Sequence, residues 1–123
     1  MVYKFTIYKR FPGINDFIAA QNKSLYKGNV MKQECQKIAM VYIRKYLKQT
    51  RIKRPVIINY LFVEPNRKRD KDNIAGFAHK VIQDALVQTR VLENDGWENI
   101  ISFSDSFAVD KNKPRIEVEI VEV

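Results

Sequence analysis

PVIINYLFVEPNRKRDKDNIAGFAHKVIQDALV, residues 55–87, changes character twice, and those two changes decide the fold. VIINYLFV (56–63) is β-branched and aromatic and has the length of a strand. Its alternation is weak, so both of its faces are expected to be covered. EPNRKRDKD (64–72) is polar and is opened by Pro65 and Asn66, which makes it a protruding loop. From Asn73 onward, Ile74, Phe77, Val81, Ala85 and Leu86 recur at helical spacing. A helix therefore runs from about 73 to 90, with Asp72 placed to cap it, until ENDGW (93–97) breaks the pattern.

Working outward, residues 2–8 (VYKFTIY) read as another strand. Residues 10–27 hold Pro12, Gly13, Asn15, Asp16, Asn22 and Ser24, the chemistry of a loop. Asn29 to Thr50 contains no breaker, and Met31, Cys35, Ile38, Tyr42 and Tyr46 form the apolar stripe of a second amphipathic helix. NIISFSDSFAVD (99–110) and PRIEVEIVEV (114–123) read as strands, with DKNK (110–113) as a hairpin turn between them. The expectation is one α+β domain over 1–123, in β-α-β-α-β-β order, with two main helices and a mixed sheet.

The chain has 123 residues, enough to bury a core without disulfides or a structural metal. Its 46% hydrophobic and 29% charged residues exclude a disordered chain, and no apolar run is long enough to span a bilayer. The N-terminus is too short and too charged for a signal peptide, so a cytoplasmic location is expected. Cys35 stands alone, without a Cys or His at ligand spacing, and reads as a small buried hydrophobe. The formal charge of +8 draws the protein toward polyanions, of which nucleic acid is the commonest in a cytoplasm.

There is no Gly-rich phosphate loop, no Cys/His cluster and no Ser-His-Asp set. The one histidine, His79, reads as an ordinary helix residue. Carboxylate chemistry remains. In an extended segment Asp70 and Asp72 point to one side and Lys71 to the other. Two neighbouring carboxylates invite a cation between them, and magnesium prefers oxygen ligands. Arg67, Lys68, Arg69 and Lys71 crowd the pair, and cations there attract a phosphate backbone. The same residues also fit a solvated turn with a helix cap. Asp95 lies beyond the helix, and spacing alone does not return it to the pair.

RDKDNIAGFAHKVIQDALV (69–87) followed by NDGW (94–97) resembles the RusA family of Holliday-junction resolvases. The family pattern is Asp-x-Asp-Asn, then a lysine on the following helix, then Asp-Ala-Leu, then an acid after the helix. Here those positions read Asp70, Asp72 and Asn73, then Lys80, then Asp84, Ala85 and Leu86, then Asp95. PGIND (12–16) and PRIEVEI (114–120) resemble the family's termini.

The resemblance implies a magnesium-dependent homodimer, with manganese as a substitute ion, that resolves four-way DNA junctions by paired nicks in recombination and repair. It implies Asp70, Asp72 and Asp95 as metal ligands and Lys80 in catalysis. Arg67, Lys68, Arg69, Lys71 and Asn73 then stand beside the DNA. Shorter family members carry the lysine one helical turn nearer the Asp pair, a shift of about 5 Å, which leaves Lys71 as the alternative cation. The reading from another class is a non-catalytic, basic nucleic-acid-binding module. Such a module has no need of carboxylates inside its basic cluster.

Overall fold

The computed structural model describes all of residues 1–123. Its elements are β1 (Val2–Ile7), α1 (Ile14–Lys23), α2 (Leu25–Tyr46), β2 (Val56–Glu64), α3 (Lys71–Gln88), β3 (Ile100–Val109) and β4 (Arg115–Glu122). The chain is thus a single α+β domain with three helices and one four-stranded mixed sheet. No helix is long and apolar enough to cross a membrane.

The segment expected to be a loop, 10–27, is mostly helix. Its turn-forming residues are there as caps. The Asp16 carboxylate accepts the Gly13 N–H at 2.9 Å at the start of α1. Ser24 stands extended between α1 and α2, and its hydroxyl accepts the Lys27 N–H at 3.0 Å. Phe17 then packs on Phe77 of α3 with its ring tilted by 31° and ring centroids 4.7 Å apart.

Strand order in the sheet is β1-β4-β2-β3. β4 pairs antiparallel with both β1 and β2, and β3 pairs parallel with β2. Parallel neighbours need a crossover, and α3 supplies it. DKNK is therefore not a hairpin turn, because β2 lies between β3 and β4. The connection passes the end of β2 instead, where the Asp110 N–H donates to the Glu64 carbonyl at 2.9 Å. Asp110 also accepts the Asn112 and Lys113 N–H groups at 3.0 and 3.2 Å, which folds the turn without a glycine.

Helices cover one face of the sheet. Val56, Ile58, Tyr60 and Phe62 of β2 point into the core, as do Ile116, Val118 and Ile120 of β4. On the other face Asn59 and Glu119 share a 3.0 Å hydrogen bond and stay partly exposed. The expectation of two covered faces on β2 holds in part: on this second face Ile57, Asn59 and Leu61 are half-buried and only Val63 is buried. The strand's weak alternation came from Ile57 and Leu61, apolar residues on the half-exposed side. Helix α3 packs against α1 and α2 on one side and the sheet on the other, while α2 also reaches β1, so Ile74, Ala75, Phe77, Ala78, Val81, Ile82, Ala85 and Leu86 are all buried. β3 forms one edge and is exposed along most of its ten residues, Ile101 and Phe103 included.

The starts of α1 and α3 meet closely. Asn73 Oδ1 accepts the Asn15 N–H at 2.9 Å, and a Cβ on Gly13 would stand only 2.4 Å from that oxygen. Gly13→Ala is therefore expected to destabilise the chain by about 1–3 kcal/mol, although its backbone angles suit alanine. Adding Asn73→Ala should return part of that loss, and a thermal-unfolding double-mutant cycle measures the coupling. Additive losses would contradict the contact.

Candidate active site

Glu64 ends β2 almost wholly buried, and its carboxylate would be costly there without partners. Arg69 provides a fork, with Nε donating to Oε1 at 3.0 Å and Nη2 to Oε2 at 2.9 Å. Arg10 adds Nε and Nη2 bonds to Oε1 at 3.2 and 3.1 Å. The remaining amine of Arg69, Nη1, donates to the Phe11 carbonyl at 2.9 Å. One carboxylate thus ties the end of β2, the segment before α1 and the loop 65–70 together. Asn66 tightens that loop further by accepting the Lys68 N–H at 2.9 Å.

The clamped loop delivers Asp70 and Asp72 to the rim of a cleft of about 920 Å³. Arg67 and Lys71 line it too, and Phe107 to Val109 of β3 form its far wall. Asp70, not Asp72, holds the N-cap position of α3. Its carbonyl accepts the Ile74 N–H at 3.0 Å, but its carboxylate caps nothing. Asp72 lies in the first helical turn and is exposed. The helix thus begins two residues earlier than its spacing suggested, and the Asp-Lys-Asp stretch is not extended. Lys71 and Asp72 are then about 100° apart around the helix, and not on opposite sides. Lys71 accordingly faces the cleft, with Nζ 5.6 Å from the Phe107 ring centre.

Both carboxylates lack a protein partner, beside the positive end of a helix dipole and among exposed cations. They form an oxygen donor pair open to a cation. No third His, Cys, Asp or Glu joins them at metal-binding distance within one chain. Asp95 precedes β3 and lies at the opposite end of the sheet from the cleft. The ten residues of β3 separate the two ends by about 30 Å.

Lys80 is exposed on α3 and does not line the cleft. Nine residues after Lys71, it stands on the opposite side of the helix. Asp84 is structural, pairing with Lys32 at 2.9 Å and accepting from Gln36 at 3.2 Å, and so ties α3 to α2. Two of the five residues expected beside DNA are also occupied in the fold. Arg69 holds Glu64 and Phe11, and Asn73 holds Asn15. Arg67, Lys68 and Lys71 remain exposed.

His79 is more than an ordinary helix residue. Its Nε2 lies 2.7 Å from Asp105 Oδ1 on β3, and Tyr60 and Phe103 pack on its ring at 4.8 and 4.6 Å. Nothing local in the sequence pairs residues 79 and 105; the parallel placement of β3 does. Cys35 is buried on α2, where burial, and then Glu34, push its thiol up to about 11.

Burial alone would raise the pKa of the Glu64 carboxyl, but hydrogen bonds from Arg69 and then Arg10, with their charges, hold it below the usual value. A lowered folded value stabilises the fold above the ordinary carboxylate pKa of about 4.3, and the gain drains away as pH falls through it. Thermal midpoints measured between pH 3 and 7 should show this acid limb in the wild type and a weaker one in Glu64→Gln. Glu64→Ala should cost about 3 kcal/mol at neutral pH, because two arginines lose their shared partner. A Glu64→Ala variant as stable as wild type would show that the clamp does not hold the loop.

A search among curated proteins finds no match for the chain. The model of the family described as Endodeoxyribonuclease RusA matches residues 12–121, which includes the clamped loop, α3 and all strands but the first. The chain belongs to the RusA family of endodeoxyribonucleases.

Proposed function

We propose that this protein is a magnesium-dependent, structure-selective endonuclease that resolves four-way DNA junctions by paired nicks, in recombination and repair within the cytoplasm. The observation that carries this reading is the unpartnered carboxylate pair, Asp70 and Asp72, at the rim of a cleft lined by cations. A plain DNA-binding surface gains nothing from two carboxylates there. In a RusA-family chain they are the natural place for a metal.

The donor set fits magnesium, which takes one or two carboxylates and keeps several waters, and manganese prefers the same ligands. When bound, the ion supplies Lewis-acid polarisation of the scissile phosphate and an activated water nucleophile. The chain's own residues do the rest. Arg67 and Lys68 attract and orient the backbone. Lys71, inside the cleft, sets a positive charge where negative charge grows on the phosphate in the transition state. Phe107 and Ile74 make the cleft wall apolar, which strengthens those charge interactions.

Paired nicking requires two sites, and a homodimer with two-fold symmetry provides them. The exposed β3 edge is the best-suited seam, since a long unpaired edge strand seeks another strand. Two-fold pairing of β3 with its copy is antiparallel. The start of one β3, preceded by Asp95, then lies beside the end of the other, which walls the cleft. Each site would combine Asp70 and Asp72 of one copy with Asp95 of the second.

The test is single-turnover nicking of a synthetic four-way junction with and without magnesium. Asp70→Asn should abolish nicking while junction affinity holds or rises, because a negative charge leaves a basic surface. Equal loss of binding and nicking would sink the catalytic reading. Lys71→Ala should slow nicking about 10²- to 10³-fold with little change in affinity. Lys80→Ala should be the milder of the two. A severe Lys80→Ala and a near-normal Lys71→Ala would move the catalytic cation onto the helix.

A further inference from the structure

The cleft accounts for only part of the positive charge. RKYLKQTRIKR (44–54) carries six cations and no carboxylate, against a net charge of +8 for the whole chain. These residues end α2 and lead into β2, so they lie at the end of the sheet remote from Asp70 and Asp72. Arg90 joins them from the loop after α3. Arg44, Lys48 and Arg51 surround one shallow depression, and Arg51, Lys53 and Arg90 surround the next. Arg51 is common to both, so the surface is continuous.

Arg44, Lys48, Arg51, Lys53 and Arg90 are exposed and have no carboxylate partner within 4.0 Å, whereas Arg54 is taken up by the Val123 oxygen, to which its Nε and Nη2 donate at 3.1 and 2.9 Å. Glu93 borders the second depression without pairing. Arg44, as part of the last turn of α2, complements that helix's negative end. The helix end does not explain Lys48, Arg51, Lys53 or Arg90. Their backbone is also firmly held. The Ile52 N–H donates to the Val91 carbonyl at 2.8 Å, and Ile52 and Leu92 form a parallel bridge that joins the two loops.

Arg90 supplies a second observation. It follows the C-cap of α3 with φ 65°, the left-handed position where helices favour glycine. An arginine there adds strain that the fold does not need, and what it adds in return is charge.

We propose that this far surface is a second, sequence-independent contact for the phosphate backbone of a duplex DNA arm. The proposal rests on the reading of the chain as a DNA endonuclease. Cations held on a rigid surface suit a regular row of phosphates. Single strands call for a platform of aromatic side chains. Tyr46 is the one exposed aromatic among residues 44–54, and Lys45 Nζ already covers it at 5.5 Å. The surface lacks the exposed apolar face that would enter a lipid layer.

The experiment measures affinity of the full-length protein for a linear duplex and for a four-way junction, without divalent metal, across a salt series. The variant combines Lys48→Gln, Arg51→Gln, Lys53→Gln and Arg90→Gly. Its salt slope should fall by about 3–4 on both DNAs, since each of the four lost phosphate contacts removes about 0.9. Arg90→Gly alone separates charge from folding: the thermal midpoint should rise while the slope falls by about 0.9. An unchanged slope in both variants overturns the proposal. If the wild type nicks no junction but the combined variant still loses duplex affinity, the far surface stands and the nuclease reading falls. A wild type that binds neither DNA overturns both.

Discussion

The site depends on one buried carboxylate. Glu64 stands where β2 ends, and two arginines reach it from segments far apart in sequence. Without that carboxylate, Arg69 would lose both prongs of its fork and the loop 65–70 would lose its main tie to the sheet. The loop matters because it carries charge that repels itself. Arg67, Lys68 and Lys71 stand close together beside two carboxylates that form no ion pair with them. A flexible loop would let these cations close onto the two carboxylates. A clamped one keeps Asp70 and Asp72 open.

The clamp also explains which parts of the site were legible in the sequence. The strand 56–63, the polar loop and the helix beyond it were readable, because their residues change type sharply at each boundary. The Asp-x-Asp pair was readable too, and both members line the cleft. Arg69 was not separable from its basic neighbours by composition. Only the burial of Glu64 five residues earlier distinguishes it, and a single Glu at the end of a strand gives no sign of being buried. Asn73 looked like part of the motif and also ties two helix starts. The helix α1 was hidden because Gly13, Asp16 and Ser24 serve caps as readily as turns. The turn 110–113 was misread for a topological reason: neighbouring strands in sequence need not be neighbours in the sheet, and β2 intervenes.

The same topology divides the carboxylates. A parallel β2-α3-β3 unit places the loop after β2 and the loop before β3 at opposite ends. Asp70 and Asp72 belong to the first and Asp95 to the second. No local rearrangement closes a gap of about 30 Å. An exposed edge strand between the two ends offers a way out, since antiparallel pairing with a copy of itself places unlike ends side by side. In the proposed dimer, symmetry would turn an incomplete site in one chain into two complete sites in a pair.

The most direct test of this account mixes two inactive variants, Asp70→Asn and Asp95→Asn. Each alone should fail to nick a four-way junction in magnesium. If sites are shared between copies, half the sites in a mixed dimer combine the native Asp70 and Asp72 of one chain with the native Asp95 of the other. Co-refolding the two variants should therefore restore nicking at one site per mixed dimer. No recovery in a mixture shown by mass to contain mixed dimers would contradict the shared site, and would require each chain to bring its own Asp95 to Asp70.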